Sequence, residues 1–103
     1  MFAARWIIDI RFGHKEEAIK LMKRWEEDVG SKCGLERPQM RIGSIGASES
    51  RFESEVRVPS LEALEKAWAQ MATNPAHARF SQELEPHVVS GSNRWEIYRV
   101  VEG

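Results

Sequence analysis

Hydrophobic periodicity changes repeatedly along this chain, and the order of those changes leaves few folds open. "AARWIIDIRF", Ala3 to Phe12, alternates with a period of two: Trp6, Ile8, Ile10 and Phe12 fall on one side, Arg5, Ile7, Asp9 and Arg11 on the other. That is how a strand presents two different faces. Gly13 ends the alternation, and "HKEEAIKLMKRWEEDVG" takes over with helical spacing. Ala18, Met22, Trp25 and Val29 recur at steps of four, three and four, with Ile19 and Leu21 widening the stripe. Glu16 and Glu17 sit in the first turn, where they suit the positive end of the helix dipole, and Gly30 is the expected stop.

A loop with Cys33, Gly34 and Pro38 leads to "QMRIGSIGA", read as a second strand, and "SES" turns the chain into a third, "RFESEVRV". Pro59 and Ser60 close that strand and cap a helix with Leu61, Leu64, Trp68 and Met71 on its apolar side. Asn74 and Pro75 restart the helix, and Phe80 and Leu84 extend its apolar face to Pro86. "NRWEIYRVVE" is the fourth strand. The 103 residues show no repeat, low-complexity tract or linker, so one domain spanning 1–103 is expected.

Strand, helix, strand, strand, helix, strand is the split βαβ order of the ferredoxin-like α+β fold. Right-handed crossovers place the first and third strands at the centre of a four-stranded antiparallel sheet with the helices on one face. That face should collect Trp6, Ile8, Ile10, Phe12, Phe52, Val56 and Val58. The opposite face should gather Asp9 and Arg11 beside Glu53, Glu55 and Arg57, together with Arg5, Arg41, Arg51, Arg94 and Glu96. Ile7, Ile45, Tyr98 and Val100 share it, whereas Arg99 turns toward the helices and so belongs at a strand end or past a bulge.

All five lysines fall in helices or loops, and only arginine serves as the cation on the strands. Arginine's planar fork suits paired carboxylates in a confined space. The charged face is therefore read as covered by a second copy of the chain, the alternative being a salt-bridged face in water.

"DIRFGHKEEAIKLM" and "SLEALEKAWAQMATNPAHARF" resemble the first crossover and second helix of the dimeric α+β barrel superfamily, notably its antibiotic-biosynthesis-monooxygenase-like members and related stress-response domains. The resemblance covers nearly the whole chain and rests on layout. It implies a homodimer in which two sheets pack face to face, with a cavity in each subunit between sheet and helices. The superfamily hosts oxygenases, isomerases, haem-degrading enzymes and proteins with no known reaction, so it does not supply a function. In its haem-degrading branch a second-helix histidine binds iron beside a tryptophan. Only His77 and Trp68 could carry those roles here, and Asp9 stands where that branch has an asparagine.

Other chemistry is sparse. Asp9, Glu53 and Glu55 could supply a general base, or could be held ionised by Arg11 and Arg57 as a network fixing dimer register. A formal net charge of −1 argues against nucleic acid or an anionic membrane as partner. No apolar run reaches the roughly 20 residues of a membrane span, and the N-terminus does not read as a signal peptide. One cysteine excludes an internal disulfide and points to the cytoplasm. The three histidines lack metal-site spacing, His14 and His87 carry no assigned role, and "GSIGAS" is no phosphate loop.

The resulting expectation is a homodimer binding a small organic molecule, with Trp68, His77, Asp9, Glu55 and Arg57 as candidate ligand contacts and His77 and Asp9 as candidate catalytic groups. No cofactor or metal is expected. The alternatives are a cofactor-free or haem-dependent monooxygenase, and a structural dimer with a filled interior.

Overall fold

The computed structural model describes residues 1–102. Seven elements follow one another: β1 (Phe2–Asp9), α1 (Lys15–Asp28), β2 (Gln39–Ile42), β3 (Arg51–Val58), α2 (Leu61–Thr73), α3 (Pro75–Leu84) and β4 (Arg94–Arg99). The sheet order is β2-β3-β1-β4, every pair antiparallel, so the first and third strands are central. This is the α+β, ferredoxin-like layout expected from the order of periodicities.

Register then decides which side chains meet. Arg5 lies opposite Glu55 on β3 and Glu96 on β4, and Ile7 opposite Glu53 and Arg94. Trp6, on the other face, lies opposite Ser54 and Trp95. The outer strands keep the expected phase, with Arg41 facing the Glu53 position. Arg99 ends β4 opposite Phe2, with its guanidinium 6.0 Å from that ring's centre.

The helix-covered face is closed by two clusters. Ile8, Ile10 and Phe52 pack with Ala18 and Met22 of α1 and with Leu84 and Val88, while Ala4 and Val58 pack with Leu64 of α2. Ser60 caps α2 by accepting the Ala63 amide at 3.1 Å. The Asn74 side chain accepts the Ala76 amide at 3.0 Å, starting α3 with Pro75 in its first turn. These oxygens satisfy amides that the helix cannot pair internally.

Two expectations are corrected. Phe12 is fully exposed instead of joining the helix-covered face. The strand ends at Asp9, Ile10 makes one bridge to Val88, and the chain turns through Gly13 at φ +84 before the alternation can carry Phe12 inward. The second strand stops at Ile42, so Ile45 projects from a loop rather than from the charged face. A side chain at Gly43 would overlap the Ser48 carbonyl, because the chain folds back tightly on itself there. Gly30 stands just past the end of α1, as expected, but without a left-handed turn. It opens a short 3-10 turn, Gly30–Lys32, and its missing side chain serves another purpose described below.

Candidate functional site

Sheet and helices do not meet everywhere. Between them lies a cavity of about 530 Å3, within the usual range for small-molecule sites. All four tryptophans border it: Trp6 from β1, Trp25 from α1, Trp68 from α2 and Trp95 from β4. Phe52, Phe80, Met22, Met40 and Met71 complete most of the apolar wall. The helix layer stops short of β4, so Trp95 and Val89 stay 42% and 45% exposed and mark the side on which the cavity meets solvent. No lysine or arginine lines it. The polar groups are His77, Ser54, Ser81, Ser90, Asn93 and the carboxylate of Glu85.

His77 is held by its neighbour. The indole N–H of Trp25 donates to His77 Nδ1 at 3.0 Å, and the two rings stand 6.2 Å apart at 60°. Accepting that bond requires the proton of a neutral imidazole to sit on Nε2, so the other ring nitrogen is a donor. A haem iron would need a free lone pair on the ring. Binding it through Nε2 would push the proton to Nδ1 and break the bond from Trp25. Asp9 lies on the other side of the sheet. These residues therefore do not fit a haem site, and no haem step is derived from them.

Trp68 tilts against Trp95 with ring centres 5.1 Å apart at 58°, and its buried Nε1 has no hydrogen-bond acceptor. An unpaired buried N–H of this kind costs roughly 1–3 kcal/mol.

A second, smaller recess of about 40 Å3 adjoins the cavity and shares Trp25, Ser54, Trp68, Met71 and Trp95 with it. Glu26 lines the recess and is 91% buried, with Oε2 unpaired. A methyl group at Gly30 would overlap that carboxyl, so glycine is what makes room for it. Burial pushes the Glu26 carboxyl above its ordinary value, and the positive charge of Arg37 opposes this. Arg37 forms no ion pair with it among the described residues. Cys33, also at the recess, has its thiol pushed up by burial and by the Glu26 charge, and its sulfur lies 2.8 Å from the Gly30 carbonyl. Glu26 was not among the sequence candidates. It follows Met22 by four residues and Ala18 by eight, so its place on the buried stripe could have been read from the spacing.

The remaining candidates lie on the opposite face. Asp9 accepts a 3.2 Å hydrogen bond from Ser50. Glu55 stands 3.6 Å from Arg5 and 3.3 Å from Arg41. Arg57 is exposed and makes no ion pair among the described residues, and Arg11 donates to the Val88 carbonyl at 3.1 Å instead of pairing with a carboxylate. The centre of the network is Glu53, bound by Arg5 and, at 3.2 Å, by Arg41. Arg5 also reaches Glu96 at 3.4 Å and lies 5.7 Å from the Tyr98 ring. The Arg5 hydrogen bond holds the Glu53 carboxyl below its ordinary value, and Arg94 does the same for Glu96. Ile7 is buried within this charged face. The structure thus brings Trp68 and His77 to the cavity and places Asp9, Glu55 and Arg57 behind the sheet.

His14 and His87, given no role from sequence, face each other with their Nδ1 atoms 3.0 Å apart. One must donate and the other accept. Among the described residues no three histidine, cysteine or acidic side chains stand together as metal ligands. None of the described helices is long and apolar enough to cross a membrane.

No protein-family model matches the chain, and no curated protein does. Solved structures do. A NIPSNAP family protein from Agrobacterium tumefaciens superposes with a TM-score of 0.83 at 17% identity, covering 98% of this chain and 86% of that one. A NIPSNAP-like domain protein from Burkholderia xenovorans gives 0.80 at 16% identity, covering 97% and 84%. A Caulobacter crescentus protein described as of antibiotic biosynthesis monooxygenase type gives 0.74 at 15% identity, covering 98% and 90%. At these identities the likeness establishes the shared ferredoxin-like fold, in line with the resemblance read from the sequence. It assigns no reaction to this chain.

Proposed function

We propose that this protein binds a small organic molecule in the cavity between sheet and helices, and that it works as a homodimer joined through the charged sheet face. The observation that carries the binding reading is the cavity itself: about 530 Å3 open to solvent, with every tryptophan of the chain on its wall. A structural dimer would gain stability by filling such a space, since voids in a core forfeit dispersion contacts. The walls suit a flat, largely apolar molecule, and the Nε2 proton of His77 can orient an acceptor atom on it.

Fold likeness to proteins of antibiotic biosynthesis monooxygenase type supports the enzyme reading only at the level of architecture. His77 is the one sequence-predicted catalytic candidate that borders the cavity, while Asp9 is separated from it by the sheet.

A thermal-shift screen of flat aromatic compounds tests the reading. Binders should raise the melting temperature, and His77→Ala should weaken those carrying a hydrogen-bond acceptor without changing the far-ultraviolet dichroism. If hits are indifferent both to His77→Ala and to filling the space by Ser54→Leu, the ligand sits elsewhere.

A further inference from the structure

The charged groups that line the cavity are of one sign, although the charge of Arg37 is felt at Glu26 without pairing with it. No lysine or arginine lines the main chamber or the recess beside it, whereas carboxyl groups line both: Glu85 in the chamber, Glu26 and Glu36 in the recess. Between them stand aromatic faces, whose π electrons attract cations. Glu26 is the most demanding of these groups. A carboxyl 91% buried with an unpaired oxygen is unfavourable unless something occupies its partner's place. Position 30 is a glycine, and a side chain there would overlap the space the carboxyl uses.

We propose, resting on the binding reading above, that the ligand is an organic amine cation whose apolar body lies among the tryptophans and whose ammonium group meets Glu26 in the recess. The recess, about 40 Å3, accommodates one small group of that kind. The shared walls Trp25, Trp68 and Trp95 place aromatic faces on the path between body and head group. Free of ligand, the carboxyl is eased by taking up a proton, which its burial favours. An ammonium would replace that proton with a charge-assisted hydrogen bond.

The test uses three molecules that share a naphthyl body: naphthylmethylamine (a cation), ethylnaphthalene (neutral) and naphthylacetate (an anion), titrated into the full chain by calorimetry at neutral pH. The amine should bind roughly tenfold more tightly than ethylnaphthalene, and naphthylacetate most weakly. Glu26→Gln should bring amine and ethylnaphthalene within about twofold, while Glu62→Gln, on the exposed side of α2 and outside both spaces, keeps the preference. Should Glu26→Gln fail to fold, amide chemical shifts of the unaltered protein decide: Gly30 and Cys33 should move with the amine and not with ethylnaphthalene. Equal or tighter binding of the neutral or anionic compound overturns this inference and leaves the binding reading standing. So does a preference that survives Glu26→Gln, or an amine that leaves Gly30 and Cys33 unmoved. If none of the three binds and the aromatic screen is also blank, both readings fall.

Discussion

Glu26 shows how one side chain can be visible in a sequence and still go unread. A charged residue at a stripe position is ordinarily assigned to the solvent side, and Trp25 beside it supplies a more obvious core member. The distinction needs the packing, since only contact with Gly30 and Cys33 shows that the carboxyl turns inward. Its folded pKa is raised above the unfolded value, so its contribution to stability is present at low pH and is lost as pH rises through the folded value. Glu26→Gln removes that loss. Denaturation of the variant should therefore show a flatter decline in stability above about pH 4.5, with the variant at least as stable as the parent at neutral pH. A variant that declines as steeply as the parent would mean the carboxyl is solvated. Phe12 is the opposite case: its alternation with Trp6, Ile8 and Ile10 was legible and misleading, because the backbone leaves the sheet one bridge after Asp9.

At the scale of elements, caps proved easier to read than strand ends. Ser60, Asn74 and Pro75 act where their chemistry suggested, because a cap is decided by a few adjacent atoms. The extent of β2 depends on where the loop back to β3 closes, which is a matter of Gly43 lying against Ser48. Asn74 does more than start α3. Its side-chain amide also donates to the Asp28 carbonyl at 3.0 Å, tying the end of α1 to the start of the helix that carries His77 and Phe80. Asn74→Ala should cost about 1–2 kcal/mol in chemical denaturation, more than an ordinary exposed substitution. A cost indistinguishable from zero would show that neither bond contributes.

For the whole molecule, the sheet separates a cavity side from a charged side, and the sequence candidates fall on both: Trp68 and His77 on the first, Asp9, Glu55 and Arg57 on the second. Period-two alternation separates the faces of one strand, but it does not say which face has a cavity in front of it. If the charged side is covered by a second copy as proposed, light scattering should give a species of about twice 11.8 kDa, and a single-chain mass would contradict the dimer. Within the network Glu53 and Glu55 each stand beside both Arg5 and Arg41, but Glu53 accepts hydrogen bonds from both guanidiniums and is the less exposed of the two, 15% against 26%. Under a covering partner, Glu53→Ala should cost about 3–5 kcal/mol and Glu55→Ala about 1. Two small, equal losses would mean that the face is in water. Glu53 is held below its ordinary pKa, so its contribution is present above about pH 4.5 and fades as acid protonates it.

The gathering of every tryptophan onto one wall has an optical consequence. In most proteins indole emission averages over scattered sites, and a change at one of them is diluted by the rest. Here Trp6, Trp25, Trp68 and Trp95 all border the same chamber, and the single tyrosine, Tyr98, lies on the far side of the sheet. Light absorbed at the red edge, where tyrosine is dark, would report on that chamber alone. The colour and lifetime of the emission would follow how much water stands inside, and an occupant able to accept excitation energy would dim all four emitters together. The chain carries its own gauge, with no label to add and no background to subtract.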